Sequence, residues 1–310
     1  MGYRVRLDTR VGPKTRIEVM TEGVLTRLLQ RDPSLKGIGL VIFDEFHERS
    51  LEADLGLALC LDIQGVLSVD LRLLVMSATM ETGPLSALLG GAPVIETQGR
   101  AYPVETRYIG KHTPSGSMAD VSRAILTAAR DGRGSVLVFL PGAAEIRTVA
   151  RRLGAAGLDD RWQVSPLLGS LSSAEQDRAI APAPAGRRKI VLATSIAETS
   201  LTIEGIHVVV DCGLQRIPRF DVRSGMTRLV TVPVSRASAD QRRGRAGRLG
   251  PGLCLRLWSE AAGLSLVPGR RPEILETDLC RLALELARWG VRHPGDLKWL
   301  DPPPEAAYSV

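Results

Sequence analysis

Short apolar runs that end in polar residues are the feature that most constrains the fold of this chain of 310 residues. Gly39–Phe43 leads directly into Asp44 and Glu45, and Leu71–Met76 leads into Ser77. Runs of this length and composition are typical of strands buried in a parallel sheet, and segments with a helical apolar stripe lie between them. The alternation predicts an α/β fold built on parallel sheets.

The predicted elements form two groups, separated by the polar stretch Lys111–Ala119, whose Pro, Gly and Ser favour a linker. In the first group the sequence predicts strands and helices at Arg16–Met20, Glu22–Gln30, Gly39–Phe43, Leu51–Leu61, Leu71–Met76 and Pro93–Thr97. In the second group it predicts them at Asp120–Arg130, Ser135–Leu140, Gln163–Leu168, Ser173–Ile180, Lys189–Thr194, His207–Asp211 and Leu253–Trp258. Two α/β lobes in tandem are therefore expected.

Two further elements depart from this alternation. Leu214–Phe220 and Met226–Val232 flank a Ser-Gly turn signal, which predicts a β-hairpin inserted in the second lobe. Near the end of the chain, Asp278–Trp289 has the apolar stripe of a helix, and Gly290 is a typical helix end.

The composition narrows the class of protein. Hydrophobic residues make up 44% and charged residues 24%, which is usual for a globular protein, and no apolar run approaches the length of a membrane span. The four cysteines lie far apart, without the spacing of a zinc site, and favour a reduced, cytoplasmic protein. The net charge of +6 comes with clustered arginines, which suit a polyanionic partner.

The carboxylates Asp44 and Glu45 are candidates for catalysis. A strand of a parallel sheet delivers such residues to the sheet edge where ligands bind. There an aspartate can hold Mg²⁺, and a neighbouring glutamate can orient or deprotonate water. The alternative is a strand that runs into a solvated turn. Ser77-Ala78-Thr79, after the neighbouring strand, can bond to these carboxylates or simply form a turn.

Two later stretches carry the chemistry of phosphate binding. Ala193–Ile203 combines five hydroxyl residues with a glutamate after a strand, which suits phosphate binding or an ordinary capped loop. In QRRGRAGR, a helix that begins near Ser238 would place Gln241, Arg245 and Arg248 on one face. Convergent arginines of this kind stabilise charge in phosphoryl transfer, and the alternative is a solvated basic helix.

In their order and spacing, these stretches resemble motifs II, III, V and VI of superfamily 2 helicases of the DEAH/RHA group. Met20–Leu25 resembles the preceding MTEG-type motif, and Val136–Gly142 resembles motif IV. The form DEFHERS at Asp44–Ser50 is similar to the bacterial HrpB type. The resemblance implies two RecA-like lobes, with ATP between them and single-stranded RNA or DNA as the partner.

The resemblance also implies residue roles, carried over by position. Asp44 would bind Mg²⁺, Glu45 would activate the attacking water, and His47 would couple to Ser77 and Thr79. Gln241 would help position the water, and Arg245 and Arg248 would act as arginine fingers. Ser200 would sense the nucleotide state, and Glu204 would lie near the ribose. Four residues would touch nucleic acid: Thr21, Thr194, Arg219 and Arg223, the last two on the hairpin.

The chain also departs from the family pattern. Phe46 stands where alanine is commoner, and Ser195 stands where asparagine is usual. The phosphate-binding G-x-x-x-x-G-K-[ST] motif is missing, because Gly12–Thr15 and Gly110–Thr113 do not fit it.

The overall expectation is an incomplete DEAH/RHA helicase, with a partial first lobe over 1–110, a second lobe over 111–265 and the start of a winged-helix region over 266–310. We expect the first lobe to have an open apolar flank and the chain alone to hydrolyse ATP very poorly. The alternative is a non-catalytic nucleic-acid-binding or scaffold module. The oligomeric state is left open.

Overall fold

The structure is a computed structural model that describes residues 1–67, 70–78, 82–97, 99, 102–114, 117–198, 202–221 and 224–308. The chain divides into two compact units. Unit 1 contains 1–96, 220–227 and the chain from Arg271 onwards, and unit 2 contains 97–219 and 228–270.

The strands are, in chain order, β1 Gly2–Val5, β2 Asp8–Arg10, β3 Glu18–Met20, β4 Leu40–Phe43, β5 Arg72–Val75, β6 Val104–Tyr108, β7 Ser135–Phe139, β8 Trp162–Leu167, β9 Arg188–Ala193, β10 Ile206–Asp211, β11 Leu214–Asp221, β12 Met226–Pro233 and β13 Gly252–Arg256. The helices are α1 Glu22–Arg31, α2 Leu51–Val66, α3 Thr82–Leu88, α4 Met118–Asp131, α5 Ala143–Ala155, α6 Ser173–Ile180, α7 Arg236–Gly244, α8 Glu260–Leu264, α9 Cys280–Trp289 and α10 Glu305–Tyr308.

Unit 2 is built on a six-stranded sheet in the order β6-β13-β10-β7-β9-β8, in which every pair is parallel. Side chains from α4 and α5 pack with one face of the sheet, where Val138, Leu192 and Val210 are fully buried. The opposite face packs with α6 and with Ala246, around Phe139. Helices on both faces are what an all-parallel sheet requires, and the arrangement is that of a RecA-like lobe.

Unit 1 contains a parallel pair of strands, β4 and β5, and a three-stranded sheet in the order β2-β1-β3. Alternate residues of β4 are buried, and Val41 and Phe43 face a core shared with α1 and α2. Leu282 and Leu286 of α9 enter the same core. The other face of β4 exposes Ile42. The expectation of an open flank, left by a missing first strand, stays a prediction.

The predicted elements of unit 2 are confirmed within one or two residues, and so is the hairpin formed by β11 and β12. The predicted strand Pro93–Thr97 is wrong, because those residues form no regular structure and Val104–Tyr108 supplies the edge strand instead. The edge strand was missed because it is polar and half-exposed, without an apolar run. β1 and β2 were missed for the same reason. The domain boundaries at 110 and 265 stay predictions.

Candidate functional site

In unit 1, the segment Asp44–Glu48 directly follows β4, and we call it the carboxylate turn. The Asp44 carboxylate is exposed, and its Oδ1 accepts a hydrogen bond of 2.9 Å from the backbone N–H of Glu45. Phe46–Glu48 form one turn of 3₁₀ helix. The Phe46 ring is buried in the core, which explains why an aromatic residue is accepted here. The turn therefore anchors itself through Phe46 and leaves Asp44 in solvent.

The backbone is in an uncommon conformation on both sides of this 3₁₀ turn. Glu45 and Arg49 both have φ of 51°, in the left-handed region that costs a residue other than glycine on the order of 1–3 kcal/mol. The Phe46 N–H donates to Met76 O at 3.0 Å, which ties the turn to the chain after β5. Such positions persist only where the surrounding structure fixes them, and they are common at functional sites.

His47 joins the carboxylate turn to the chain after β5. Its Nδ1 accepts a hydrogen bond of 3.3 Å from the backbone N–H of Ala78, and it also lies 3.5 Å from Glu45 Oε2. The two contacts exclude one another at Nδ1, because the first needs an unprotonated nitrogen and the second a protonated one. Ser77 is exposed beside this contact, and Thr79 lies outside the described residues. Coupling of His47 to the hydroxyls stays a prediction.

In unit 2, the segment Gln241–Arg248 carries the predicted arginine fingers, and we call it the arginine segment. The expectation of one helix with a shared face is wrong, because α7 starts at Arg236 and ends at Gly244. A 3₁₀ turn follows, in which Gly247 sits so close to Tyr102 O that a Cβ there would lie 2.6 Å away. This close approach of the two backbones explains why glycine stands at position 247.

The side chains of the arginine segment have different environments. Gln241 is half-buried. Arg245 is buried, and its Nη2 donates a hydrogen bond to the backbone oxygen of Glu198. Arg248 is exposed, and its Nη1 donates to Thr202 Oγ1 at 2.6 Å. Arg248 is therefore the arginine of this pair that solvent and ligands can reach.

Arg242 of the arginine segment forms a buried acid–arginine cluster with Glu198 and Asp211. Arg242 donates from Nε and Nη2 to Glu198 Oε1 at 2.8 and 2.6 Å, and from Nη1 to Asp211 Oδ1 at 2.7 Å. All three are nearly inaccessible to solvent. Burial disfavours the charge of Arg242, but Asp211 and Glu198 together hold its pKa above the usual range. The cluster joins the loop after β9, the end of β10 and α7.

The remaining predicted residues lie on surfaces of their own units. Thr21 occupies the N-cap position of α1 without a capping bond from its side chain, so its hydroxyl is open to solvent. Thr194 is half-buried directly after β9, Glu204 is exposed before β10, and Arg219 is exposed on β11. Ser200 and Arg223 lie outside the described residues.

Sequence reasoning missed the buried ion pairs. Arg242 reads as one more cation in an arginine-rich stretch, and Asp211 ends an apolar strand just as Asp44 does. Only burial separates them, because Asp211 is 0% exposed. Glu198 was counted with a phosphate-binding loop, whereas its carboxylate binds Arg242 and Ser238. No signal in a single sequence marks which charged residue is buried.

The carboxylate turn fits a magnesium nucleotide better than a bare metal ion. Among the described residues there is no group of three metal-ligating side chains. Mg²⁺ with a nucleotide needs little more than one or two carboxylates, because it keeps several waters and takes phosphate oxygens as ligands. The exposed Asp44 meets that requirement.

Among the described residues, no helix is long and apolar enough to cross a membrane.

Comparison with known proteins agrees with the motifs. Residues 118–250 match the helicase conserved C-terminal domain. The chain is 52% identical over 306 residues to the ATP-dependent RNA helicase HrpB of Escherichia coli, across 98% of this chain and 38% of that protein. It is 37% identical over 307 residues to an ATP-dependent RNA helicase HrpA homolog of Haemophilus influenzae, across 98% of this chain and 23% of that protein.

A solved structure of the Escherichia coli DEAH/RHA helicase HrpB matches with a TM-score of 0.90 and 51% identity, over 98% of this chain and 39% of that one. The chain therefore contains a helicase conserved C-terminal domain on a RecA-like sheet. Along nearly all of its length it is a relative of DEAH/RHA helicases, as the motifs predicted. It spans about two fifths of the length of the HrpB relative that it matches.

Proposed function

We propose that the chain supplies the catalytic carboxylates and the phosphate-stabilising arginines of a DEAH/RHA helicase that hydrolyses ATP to unwind RNA. The observation that carries this proposal is the carboxylate turn, where Asp44 is exposed at the end of a parallel strand and Glu45 is held in a left-handed conformation. The sequence similarity to proteins named ATP-dependent RNA helicases supports it.

In this proposal each unit has its own chemical task. In unit 1, Asp44 would hold Mg²⁺ and Glu45 would take the proton of the attacking water. Mg²⁺, when bound, neutralises phosphate charge. In unit 2, Arg248 and Gln241 act on the phosphates and the water, and the buried Arg245 supports them through its bond to the Glu198 backbone. Arginine fingers contribute about 10³–10⁵ in rate, so Arg248→Ala should be severe where hydrolysis occurs.

A phosphate-release assay tests the catalytic part. The chain is incubated with ATP and Mg²⁺, with and without poly(U), next to Glu45→Gln, which removes only the base. Because the G-x-x-x-x-G-K-[ST] motif is missing from these residues, we expect release close to that of the variant. Release well above that of Glu45→Gln contradicts the expected weak activity and supports the carboxylate roles directly.

RNA binding tests the partner separately. We propose that Thr21, Thr194 and Arg219 contact the phosphate backbone of single-stranded RNA. Arg219→Ala should weaken binding of labelled poly(U) and lower the slope of log affinity against log salt by about one, since one phosphate contact is lost. Arg161→Ala is the matched control, because Arg161 is an exposed arginine of unit 2 already paired with Asp159 at 2.7 Å. Equal effects of the two variants contradict the assignment of Arg219.

The missing phosphate motif also favours the second candidate, a nucleic-acid-binding module without catalysis. The two assays separate the candidates. RNA binding with no release above Glu45→Gln, even after addition of a protein segment that carries the phosphate motif, favours the binding module. Release restored by that addition favours the helicase. The helicase proposal includes three further points. The protein is cytoplasmic, its partner is RNA rather than DNA, and it uses ATP and Mg²⁺.

A further inference from the structure

We propose that Arg49 is a positioning residue that fixes the carboxylate turn to the carboxyl-terminal segment Arg271–Tyr308 through Asp301. The inference rests on the function proposed above, because it concerns what holds Asp44 and Glu45 in place. Through this ion pair, the carboxyl-terminal segment sets the rate of ATP hydrolysis without touching the nucleotide.

The Arg49 guanidinium binds two acids that come from different parts of unit 1. Its Nε and Nη2 donate to the two oxygens of Asp54 at 3.2 and 3.3 Å, and its Nη1 lies 2.7 Å from Asp301 Oδ2. Asp54 belongs to α2, only five residues along the chain, whereas Asp301 belongs to the carboxyl-terminal segment. The planar fork of arginine suits this double engagement. One side chain therefore joins the turn to a distant segment.

The backbone around Arg49 is tied to the same segment. The N–H of Glu273 donates to Arg49 O at 3.0 Å, and Glu273 Oε2 accepts from the backbone N–H of Leu51 at 2.9 Å. The second bond satisfies one of the open N–H groups at the start of α2. The carboxyl-terminal segment thus contacts the chain at Arg49 and just beyond it, with side chain and backbone together.

These contacts bear directly on the catalytic carboxylate. Glu45 and Arg49 are left-handed residues that flank the single turn Phe46–Glu48, and this turn is all that connects them. The Arg49 guanidinium also lies over the Phe46 ring, 5.8 Å from its centre. A left-handed residue other than glycine relaxes when its supports are removed. Loss of the Arg49 anchor should therefore free Glu45 as well.

Of Arg49, Asp54 and Asp301, the best residue to substitute is Asp301, because its side chain is the most exposed. Arg49 and Asp54 side chains are 10% and 2% exposed, and their removal risks unfolding unit 1. Asp301 is 40% exposed, so Asp301→Asn should fold while losing the charge that holds Arg49. Asp296→Asn is the matched control, since Asp296 is an exposed aspartate of the same segment that accepts from the His293 N–H instead.

Amide hydrogen exchange of the full 310-residue chain measures the coupling without any need for activity. In Asp301→Asn, peptides that cover residues 44–50 should exchange about three- to tenfold faster, while α4 in unit 2 is unchanged, because local opening follows the loss of local contacts. Asp296→Asn should match the wild type in both regions. Exchange of residues 44–50 that is equal in the two variants would overturn the proposal.

Kinetics separates positioning from a merely structural role. Under conditions where hydrolysis is detected above Glu45→Gln, Asp301→Asn should lower kcat about three- to tenfold and leave the KM for ATP unchanged. Asp301→Glu, which keeps the charge, should restore both kcat and the slow exchange. Faster exchange with unchanged kcat overturns the link to rate. Hydrolysis that stays at the level of Glu45→Gln even after addition of a protein segment that carries the phosphate motif counts against the proposed function alone, because exchange decides the coupling by itself.

Discussion

The two units contain parallel sheets of the same kind that are covered to different extents. In unit 2, all five residues of β7 are buried between two layers of helices. In unit 1, β4 buries only every second residue, and its outward face leaves Leu40 and Ile42 47% and 49% exposed. Leu74 of β5, which pairs with Ile42, is 43% exposed on the same face.

The difference shows that an apolar strand does not by itself report its surroundings. Parallel strands are apolar on both faces because both are usually covered. β4 has that composition, but only its inner face, with Val41 and Phe43, packs in a core. The charged clusters differ in the same way, since Arg242 is fully buried in unit 2, while Arg49 reaches the partly exposed Asp301 in unit 1. The predictions below test this contrast.

The largest effect is expected where unit 2 buries its charges. Arg242→Met removes the cation that Glu198 and Asp211 share, and leaves two carboxylates buried without it. Breaking a buried ion pair costs about 3–5 kcal/mol, so the urea midpoint of unit 2 should fall sharply. Arg248→Met is the control, because its side chain is exposed, and it should change the free energy of unfolding by less than about 0.5 kcal/mol. Similar midpoints for the two variants would contradict the burial of the cluster.

The next largest effect is expected for a core substitution in the sheet of unit 2. Leu192 lies in β9 and is 0% exposed, in the face that packs against α4 and α5. Leu192→Ala should lower the free energy of unfolding by about 2–5 kcal/mol, through lost burial and the cavity left behind. Chemical denaturation followed by circular dichroism measures it. A change below about 1 kcal/mol would mean that the sheet of unit 2 is not covered on this face.

The contrast also explains what could be predicted from sequence. Apolar runs in unit 2 predicted its central strands β7, β9, β10 and β13, which are almost wholly buried, and the hydroxyl and arginine motifs located the loops after them. Polar strands such as β6 gave no such signal. The 3₁₀ turn after Gly244 could not be predicted either, and nor could the close approach of Gly247 to Tyr102, which is remote in sequence. Helical spacing describes neighbours along one helix and carries no information on such contacts.

The buried Asp54 of unit 1 should make the free energy of unfolding depend on pH. Burial outweighs the attraction of Arg49 and raises the pKa of Asp54 from 3.8 to about 6. Between about pH 4 and 6 the folded state binds more protons than the unfolded state, so the free energy of unfolding falls as the pH rises through this window. The total is at most roughly 3 kcal/mol, from a shift of about two units.

Asp54→Asn should remove that slope. The measurement is the urea midpoint of wild type and variant from pH 4 to 7, taken as a difference so that other groups cancel. Asp159→Asn serves as the control, because Asp159 is an exposed aspartate whose pKa the neighbouring Arg161 lowers. A difference between wild type and Asp54→Asn that is flat over the window would show that Asp54 ionises as it does in the unfolded chain.

The smallest effect is expected on the open face of β4. Ile42→Thr should change the free energy of unfolding by less than about 1 kcal/mol, because the side chain is already half in solvent. The same variant should reduce self-association in analytical ultracentrifugation, since exposed apolar patches promote it. Val41→Thr is the matched control on the buried face of the same strand, and should cost about 1–3 kcal/mol for a hydroxyl without a partner. If Ile42→Thr costs as much as Val41→Thr, both faces of β4 are covered in solution, and the contrast between the two sheets disappears.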